Sequence, residues 1–240
     1  MKKSMQFKAV ATAALLALGS TGASAAVVVL EVPGVAVTID GQTFVVNAQR
    51  VIDEREKAVF IIEGFANPNL GVQGINALMD PDPIITSAIS VLDFAAPSNF
   101  NFFFSLPIVP TIGPVTLKLT LGGSCTDNNN NGCSATPNLA SGFLANGLLD
   151  GVVKVSGGNL FSGPAGGSGS FASTVFTVNL PAGPYNTLGL DLGFLGSGGG
   201  DAISFTLGVE VVNAVSAPGS LALAALAIGA AGLASRRRKA

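Results

Sequence analysis

The sequence contains no histidine and no tryptophan, and it has a single tyrosine, Tyr185. Histidine is the usual acid or base near neutral pH and a common ligand for zinc and copper. Its absence excludes Ser-His-Asp and Cys-His nucleophilic sites, so catalysis would have to rest on carboxylates alone, as in glycosidases. The scarcity of tryptophan and tyrosine also disfavours a sugar site built on stacked rings. We therefore expect a protein that is not an enzyme.

Charged residues make up only 11% of the chain, and more than half of the basic ones lie near its ends. Seven of the 12 Lys and Arg residues are terminal, and the other five stand against all 14 acidic residues in the segment 26–214, which gives that segment a formal net charge of −9. A surface this acidic repels the phosphate backbone of nucleic acids. Nucleic acid is thereby excluded as a partner.

The N-terminus has the three parts of a secretory signal peptide. Lys2, Lys3 and Lys8 precede an apolar stretch from Ala9 to Leu18, and Ala23-Ser24-Ala25 supplies a small-residue cleavage site. The apolar stretch is shorter than the roughly 20 residues that a membrane-spanning helix needs. We predict that residues 1–25 form a signal helix that is cleaved before Ala26, with an uncleaved anchor as the alternative.

The C-terminal residues 215–240 form a second three-part signal. A small-residue and proline turn is followed by the apolar run Leu221–Ala234 and then by a basic cluster. The run predicts a transmembrane helix, and the basic cluster places its end in the cytoplasm. The domain 26–214 would then lie outside the inner membrane. The signal residues are Val215, Ser216, Ala217, Pro218, Gly219, Ser220, Arg236, Arg237, Arg238 and Lys239.

This C-terminal pattern resembles the PEP-CTERM sorting signal, a Val-Pro-Glu-Pro motif followed by an apolar helix and an arginine cluster. Ser216 and Ala217 replace the first Pro and the Glu, while Pro218 remains. The resemblance implies recognition by exosortase, a membrane-embedded protease of Gram-negative bacteria that make extracellular polysaccharide. It implies secretion, transient insertion into the inner membrane, and then a place on the cell surface or in the matrix. The alternative is a simple membrane-anchored periplasmic protein.

The segment 26–214 is predicted to form one all-β domain, because short β-branched and Phe-rich runs alternate with Gly and Pro turns. Asp40-Gly41 between two such runs predicts a hairpin. About ten short strands without an amphipathic helix favour an antiparallel β-sandwich, with a jelly roll as one arrangement. The longer predicted strands are Lys57–Ala66, Ile84–Phe94, Asn99–Leu106, Val115–Leu121, Phe171–Leu180, Leu188–Phe194 and Ile203–Val212.

Three stretches between the strands have their own predictions. The charge-dense stretch Arg50–Lys57 is expected to be a solvated connection or a polar strand edge. The Gly-rich stretches Ser162–Ser170 and Gly196–Gly200 are expected to be turns, since glycine is common where strands reverse. Along Asn99–Leu106, the strand period of two directs alternate phenylalanines to the interior. The inward residues are Phe100, Phe102 and Phe104.

Cys125 and Cys133 are the only two cysteines, and in an exported protein they are expected to form a disulfide. Inside the ring that they close, Asp127, Asn129 and Asn131 with the following glycine fit the first half of a calcium loop. The alternative is a polar turn in which these side chains bind their own backbone. No other cofactor is expected.

Asp80 and Asp82 alternate with Pro81 and Pro83, so they either cap a stiff surface turn or present two carboxylates to a cation or a sugar. Three functions follow from the sequence. The first is a non-enzymatic exported protein with a structural or adhesive role in a biofilm or floc. The second is a calcium-assisted carbohydrate-binding module with extracellular polysaccharide as its partner. The third is a hydrolase that uses Asp80, Asp82 and Asp127.

Overall fold

The structure, a computed structural model, describes residues 32–54, 56–94, 96–111 and 113–213. The predicted signal peptide 1–25 and sorting signal 215–240 lie outside the described residues, as do the two helices predicted for them. Within the described ranges, the chain is all β apart from one short 3-10 helix at Pro68–Leu70, and every strand pairing is antiparallel. The all-β, antiparallel part of the fold-class prediction is thereby confirmed.

The strands form two sheets. In sheet A the order is β11-β10-β14-β7-β1-β2, β9 also pairs with β14, and β12 pairs with β9. Its strands are β1 (Gly34–Ile39), β2 (Gln42–Asn47), β7 (Asn99–Thr111), β9 (Cys133–Pro137), β10 (Ala145–Leu149), β11 (Val152–Gly157), β12 (Phe161–Gly163) and β14 (Tyr185–Gly196).

In sheet B the order is β13-β8-β15-β6-β5-β4-β3. Its strands are β3 (Gln49–Ile52), β4 (Ala58–Asn67), β5 (Val72–Asp80), β6 (Ile84–Asp93), β8 (Val115–Thr126), β13 (Ser168–Leu180) and β15 (Asp201–Asn213).

One apolar core lies between the two sheets, which gives the molecule a sandwich-like form. Alternate residues of the long strands are buried in it, as a strand period of two requires. The ring of Phe194 in sheet A lies 5.1 Å from that of Phe100 and 4.9 Å from that of Phe205 in sheet B, measured between centroids. Aromatic contacts thus join the two sheets.

The structure confirms the predictions for the alternating phenylalanines and for the Asp-Gly hairpin. The predicted inward residues Phe100, Phe102 and Phe104 are at most 1% exposed. The hairpin at Asp40-Gly41 is present between β1 and β2, with φ angles of +47° and +83°. Positive φ at both central residues is what the favoured two-residue hairpin turn requires, and it explains the Asp-Gly pair.

The turn prediction for Ser162–Ser170 is wrong in part, because the stretch contains the end of β12 and the start of β13. The two strands approach so closely that a Cβ on Gly163 or Gly169 would clash with the facing backbone. Here glycine marks a close backbone approach rather than a reversal of the chain.

The charge-dense stretch Arg50–Lys57 begins in β3. The four residues of β3 are exposed at the edge of sheet B, which agrees with the prediction of a polar strand edge.

Candidate functional site

The predicted disulfide is present and joins the two sheets. Cys125 lies near the end of β8 in sheet B, and Cys133 begins β9 in sheet A. Their Cα atoms are 5.9 Å apart, and both side chains are 1% exposed. The bond therefore closes the polar loop and also crosslinks the sheets at one end of the core.

Asp127 inside this loop is held by backbone N–H groups. Its Oδ1 accepts a hydrogen bond from the Asn129 N–H at 3.0 Å, and its Oδ2 accepts from Gly132 at 3.0 Å and from Gly166 at 2.5 Å. Burial alone would raise the pKa of Asp127, but the N–H groups of Gly166, Asn129 and Gly132 outweigh it and lower that pKa to about 2. The ionised carboxylate thus organises the loop.

The other two predicted calcium ligands, Asn129 and Asn131, are hydrogen-bonded to each other within the loop. The side-chain Oδ1 of Asn129 accepts the Asn131 N–H at 3.0 Å, and both residues are exposed. Asn130 and Gly132 adopt positive φ angles of +64° and +91°, which Asn and Gly tolerate better than other residues. These contacts match the polar-turn alternative. Calcium binding by Asp127, Asn129 and Asn131 stays a prediction.

Two aspartates that the sequence analysis did not single out, Asp93 and Asp201, lie beside this loop. They end β6 and begin β15, they are directly opposite each other in the strand register, and both are 0% exposed. Their burial follows from the strand period of two. Asp93 lies on the same face of its strand as the buried Ile85, and Asp201 on the same face as the buried Ile203. We call the region of Asp93, Asp127 and Asp201 the aspartate end.

Only one of the two carboxylate oxygens of Asp93 has hydrogen-bond partners among the described residues. Its Oδ2 accepts N–H groups from Gly198 at 2.7 Å and from Ser98 at 3.3 Å. Its Oδ1 is buried and has no hydrogen-bond partner among the described residues. Burial raises the pKa of Asp93 above its ordinary value, although the two N–H groups act in the opposite direction.

Asp201 accepts hydrogen bonds from two loops. Its Oδ2 accepts the Ser197 hydroxyl at 2.6 Å, and its Oδ1 accepts the backbone N–H of Asn128 at 3.2 Å. The stretch between Ser197 and Asp201 is Gly198-Gly199-Gly200, with φ angles of +77°, +74° and +87°. Three consecutive residues in this region are feasible only for glycine, which explains the Gly run. The turn predicted at Gly196–Gly200 is confirmed, although Gly196 itself still belongs to β14.

Asp80 and Asp82 belong to the opposite end of sheet B. Asp82 forms an ion pair with Lys57, and Asp80 accepts the Asp82 N–H at 2.9 Å, which supports the surface-turn alternative. Strand β6 separates this turn from the aspartate end by about 30 Å, given the rise of a ten-residue strand. Asp80 and Asp82 are therefore too far from Asp127 to act with it on one bond, and the hydrolase hypothesis stays a prediction.

A third polar cluster lies on the outer face of sheet A. Asp191 lies between Phe103 on one neighbouring strand and Asn146 on the other, and Ser156 lies beyond Asn146. The Oδ1 of Asp191 accepts a hydrogen bond from the Asn101 amide at 3.0 Å. Burial raises the pKa of Asp191 to about 6, and the amide of Asn101 lowers it only in part. The sequence offered no signal for this shift, because it depends on the neighbouring strands.

We expect the variant Asp191→Asn to be more stable than the native protein at neutral pH. A carboxyl group whose pKa is higher in the folded state contributes stability that is complete below its unfolded pKa near 4 and is lost as the pH rises through about 6. Asparagine has no such loss, so the variant should gain on the order of 2 kcal/mol between pH 4 and pH 7.5 relative to the native protein.

Urea unfolding at both pH values measures this gain, and Glu63→Gln, which removes an exposed carboxylate, is the control. An equal difference between Asp191→Asn and the native protein at both pH values would contradict the prediction.

The outer face of sheet B carries an open depression of about 700 Å³. Its exposed lining is mostly apolar, with several hydroxyl groups and one amide, and contains no aromatic ring. The polar lining residues are Glu63, Asn76, Thr86, Ser87, Thr120 and Thr206.

A scan against protein-family models and a search of curated proteins both find no match for the chain. In the part of the chain that the structure describes, no helix has the length and apolar character needed to cross a membrane. The buried carboxylates at the aspartate end are out of reach of a substrate in solution. They accept hydrogen bonds that order the surrounding loops.

Proposed function

We propose that the protein is an exported, non-enzymatic protein that exosortase sorts to the cell surface or to the extracellular polysaccharide matrix, where it has a structural or adhesive role. The observation that carries this proposal is the disulfide between Cys125 and Cys133. Disulfides persist in oxidising compartments outside the cytoplasm and are rare within it. This agrees with the predicted signal peptide 1–25 and with the sorting signal 215–240.

An adhesive role is supported by the edges of the two sheets. The edge strands β2, β3, β11 and β13 each carry at least one exposed apolar side chain. An exposed apolar strand edge offers unpaired backbone groups beside a hydrophobic surface, which favours pairing with another chain. The exposed residues are Val45, Val51, Ile52, Val152, Val153 and Val175.

A fractionation experiment tests the proposed destination. An epitope tag inserted at Gly142, which has open space around its Cα, lets the protein be followed in strains with and without exosortase. We expect the tag at the cell surface or in the matrix when exosortase is present, and in the inner membrane when it is absent. Retention in the inner membrane of both strains would support the simple anchored protein instead.

One observation favours a carbohydrate-binding module as a second candidate function. The depression on sheet B presents threonine hydroxyls and the Asn76 amide, and such groups can hydrogen-bond the hydroxyls of a sugar. Calorimetric titration with the polysaccharide of the host distinguishes the two candidates. The finer description of the fold as a jelly roll stays a prediction.

A further inference from the structure

The pairing of Asp93 with Asp201 is electrostatically unusual. The two residues face each other across β6 and β15, with both side chains on the inner side of sheet B. Directly opposite residues in an antiparallel pair have Cβ atoms roughly 5 Å apart. Two aspartates are therefore neighbours in a region where each is 0% exposed.

No basic side chain of the described residues forms an ion pair with either carboxylate. Lys57 pairs with Asp82, and Lys118 pairs with Glu210. Arg50 lies on β3, at the far edge of sheet B, and Lys154 lies on β11, at an edge of sheet A. Like charges buried without a counter-charge destabilise each other and the fold, so such a pair calls for a proton or a cation.

The orphaned oxygen of Asp93 points to the same need. Its Oδ1 is buried without a hydrogen-bond partner among the described residues, while its Oδ2 already accepts two N–H groups. A buried charged atom without a partner is costly, and bound cations are a common way of satisfying one. The neighbouring loop adds a neutral oxygen, because the Ser197 hydroxyl lies 2.6 Å from Oδ2 of Asp201.

We propose that Asp93 and Asp201 together bind one calcium ion at the aspartate end of the sheets. In the described part of the chain, no third carboxylate or thiolate joins them in a metal-binding group. The remaining ligands are therefore neutral oxygens, such as the Ser197 hydroxyl and backbone carbonyls of the glycine loop. Calcium accepts six to eight such oxygens in flexible geometry, whereas magnesium requires a strict octahedron and keeps several waters.

This site is distinct from the calcium loop that the sequence predicts at Asp127, Asn129 and Asn131. The carboxylate of Asp127 already accepts three backbone N–H groups, and the side-chain oxygen of Asn129 accepts one. The Asp93–Asp201 pair instead retains one buried oxygen, Oδ1 of Asp93, without a hydrogen-bond partner among the described residues. The two locations can be separated by mutation.

Thermal unfolding of the full-length protein in EGTA and in calcium tests the proposal. Because calcium binds only the folded pair, ~10 mM calcium should raise the Tm by about 5 °C or more if the dissociation constant is near 10⁻⁴ M. Calorimetric titration of the same protein should give one ion per chain. Absence of both the shift and the binding heat would overturn the proposal.

Four variants locate the ion. Asp93→Asn and Asp201→Asn should each abolish the calcium-dependent shift, whatever their own Tm in EGTA. Asp127→Asn and Asp191→Asn, which remove carboxylates outside the pair, should keep it. A shift that survives in both pair variants, or that only Asp127→Asn removes, would overturn the assignment.

A shared proton is the competing occupant, and a pH series on the native protein detects it without any variant. A bound calcium ion predicts that the Tm gain in calcium grows as the pH rises from 5 to 8, since protons compete for the same oxygens. A protein that calcium does not stabilise at any pH, and that in EGTA becomes more stable on acidification, would hold a proton in place of the ion and contradict the proposal.

Discussion

Replacing Phe194 by alanine is expected to destabilise the fold by about 3–5 kcal/mol, the usual cost of removing a buried phenylalanine. Phe194 is 0% exposed and packs on Phe100 of its own sheet and on Phe205 of the other. The substitution therefore opens a cavity between the sheets and removes two aromatic contacts. Domains are stable by only about 5–15 kcal/mol, so a large share of the total would be lost.

Denaturant unfolding of Phe194→Ala at pH 7 measures this loss as a lower midpoint with an unchanged slope. Phe94→Ala is the matched control, because Phe94 is 50% exposed and its loss should cost less than about 1 kcal/mol. Equal losses for the two variants would contradict the description of the core as a single apolar layer that joins both sheets.

Removing the disulfide is expected to lower the free energy of unfolding by about 2–3 kcal/mol. The bond joins residues only eight apart in sequence, which limits the entropy that it removes from the unfolded chain. Its position adds to this effect, because Cys125 belongs to sheet B and Cys133 to sheet A. Without it, the loop that positions Asp127 and Asn128 against Asp201 would be less ordered.

The double variant Cys125→Ala/Cys133→Ala tests this effect against the native protein with and without a reducing agent. The native protein should lose stability on reduction, whereas the variant should show the reduced value in both conditions. Stability of the native protein that does not respond to full reduction would show that the bond contributes nothing to the fold.

The strands with strict alternation could be predicted because their pattern is local. Along Val115–Leu121, for example, apolar and polar residues alternate, and the four apolar ones are at most 1% exposed. The burial of Asp93 could have been predicted in the same way, since it continues the inward parity of β6. A single aspartate at a strand end is more often part of a turn, which concealed this signal.

The partition of strands between the sheets could not be predicted, because it depends on contacts distant in sequence. Strand β15 pairs with β6 and β8, whereas β14, which precedes it, pairs in the other sheet. The pairing of Asp93 with Asp201 follows from that partition and brings together residues 108 positions apart. The same holds for Asp191, because the strands that bury its carboxyl group and raise its pKa are remote in sequence.

The intact mass of the protein isolated from its host tests the central claim of export and sorting most directly. We expect a chain that lacks residues 1–25, ends near Ser216–Ser220 when exosortase is present, and contains no thiol that reacts with an alkylating agent. In a strain without exosortase, the chain should extend to Ala240. A chain that extends to Ala240 in both strains, or that carries two reactive thiols, would contradict export followed by sorting.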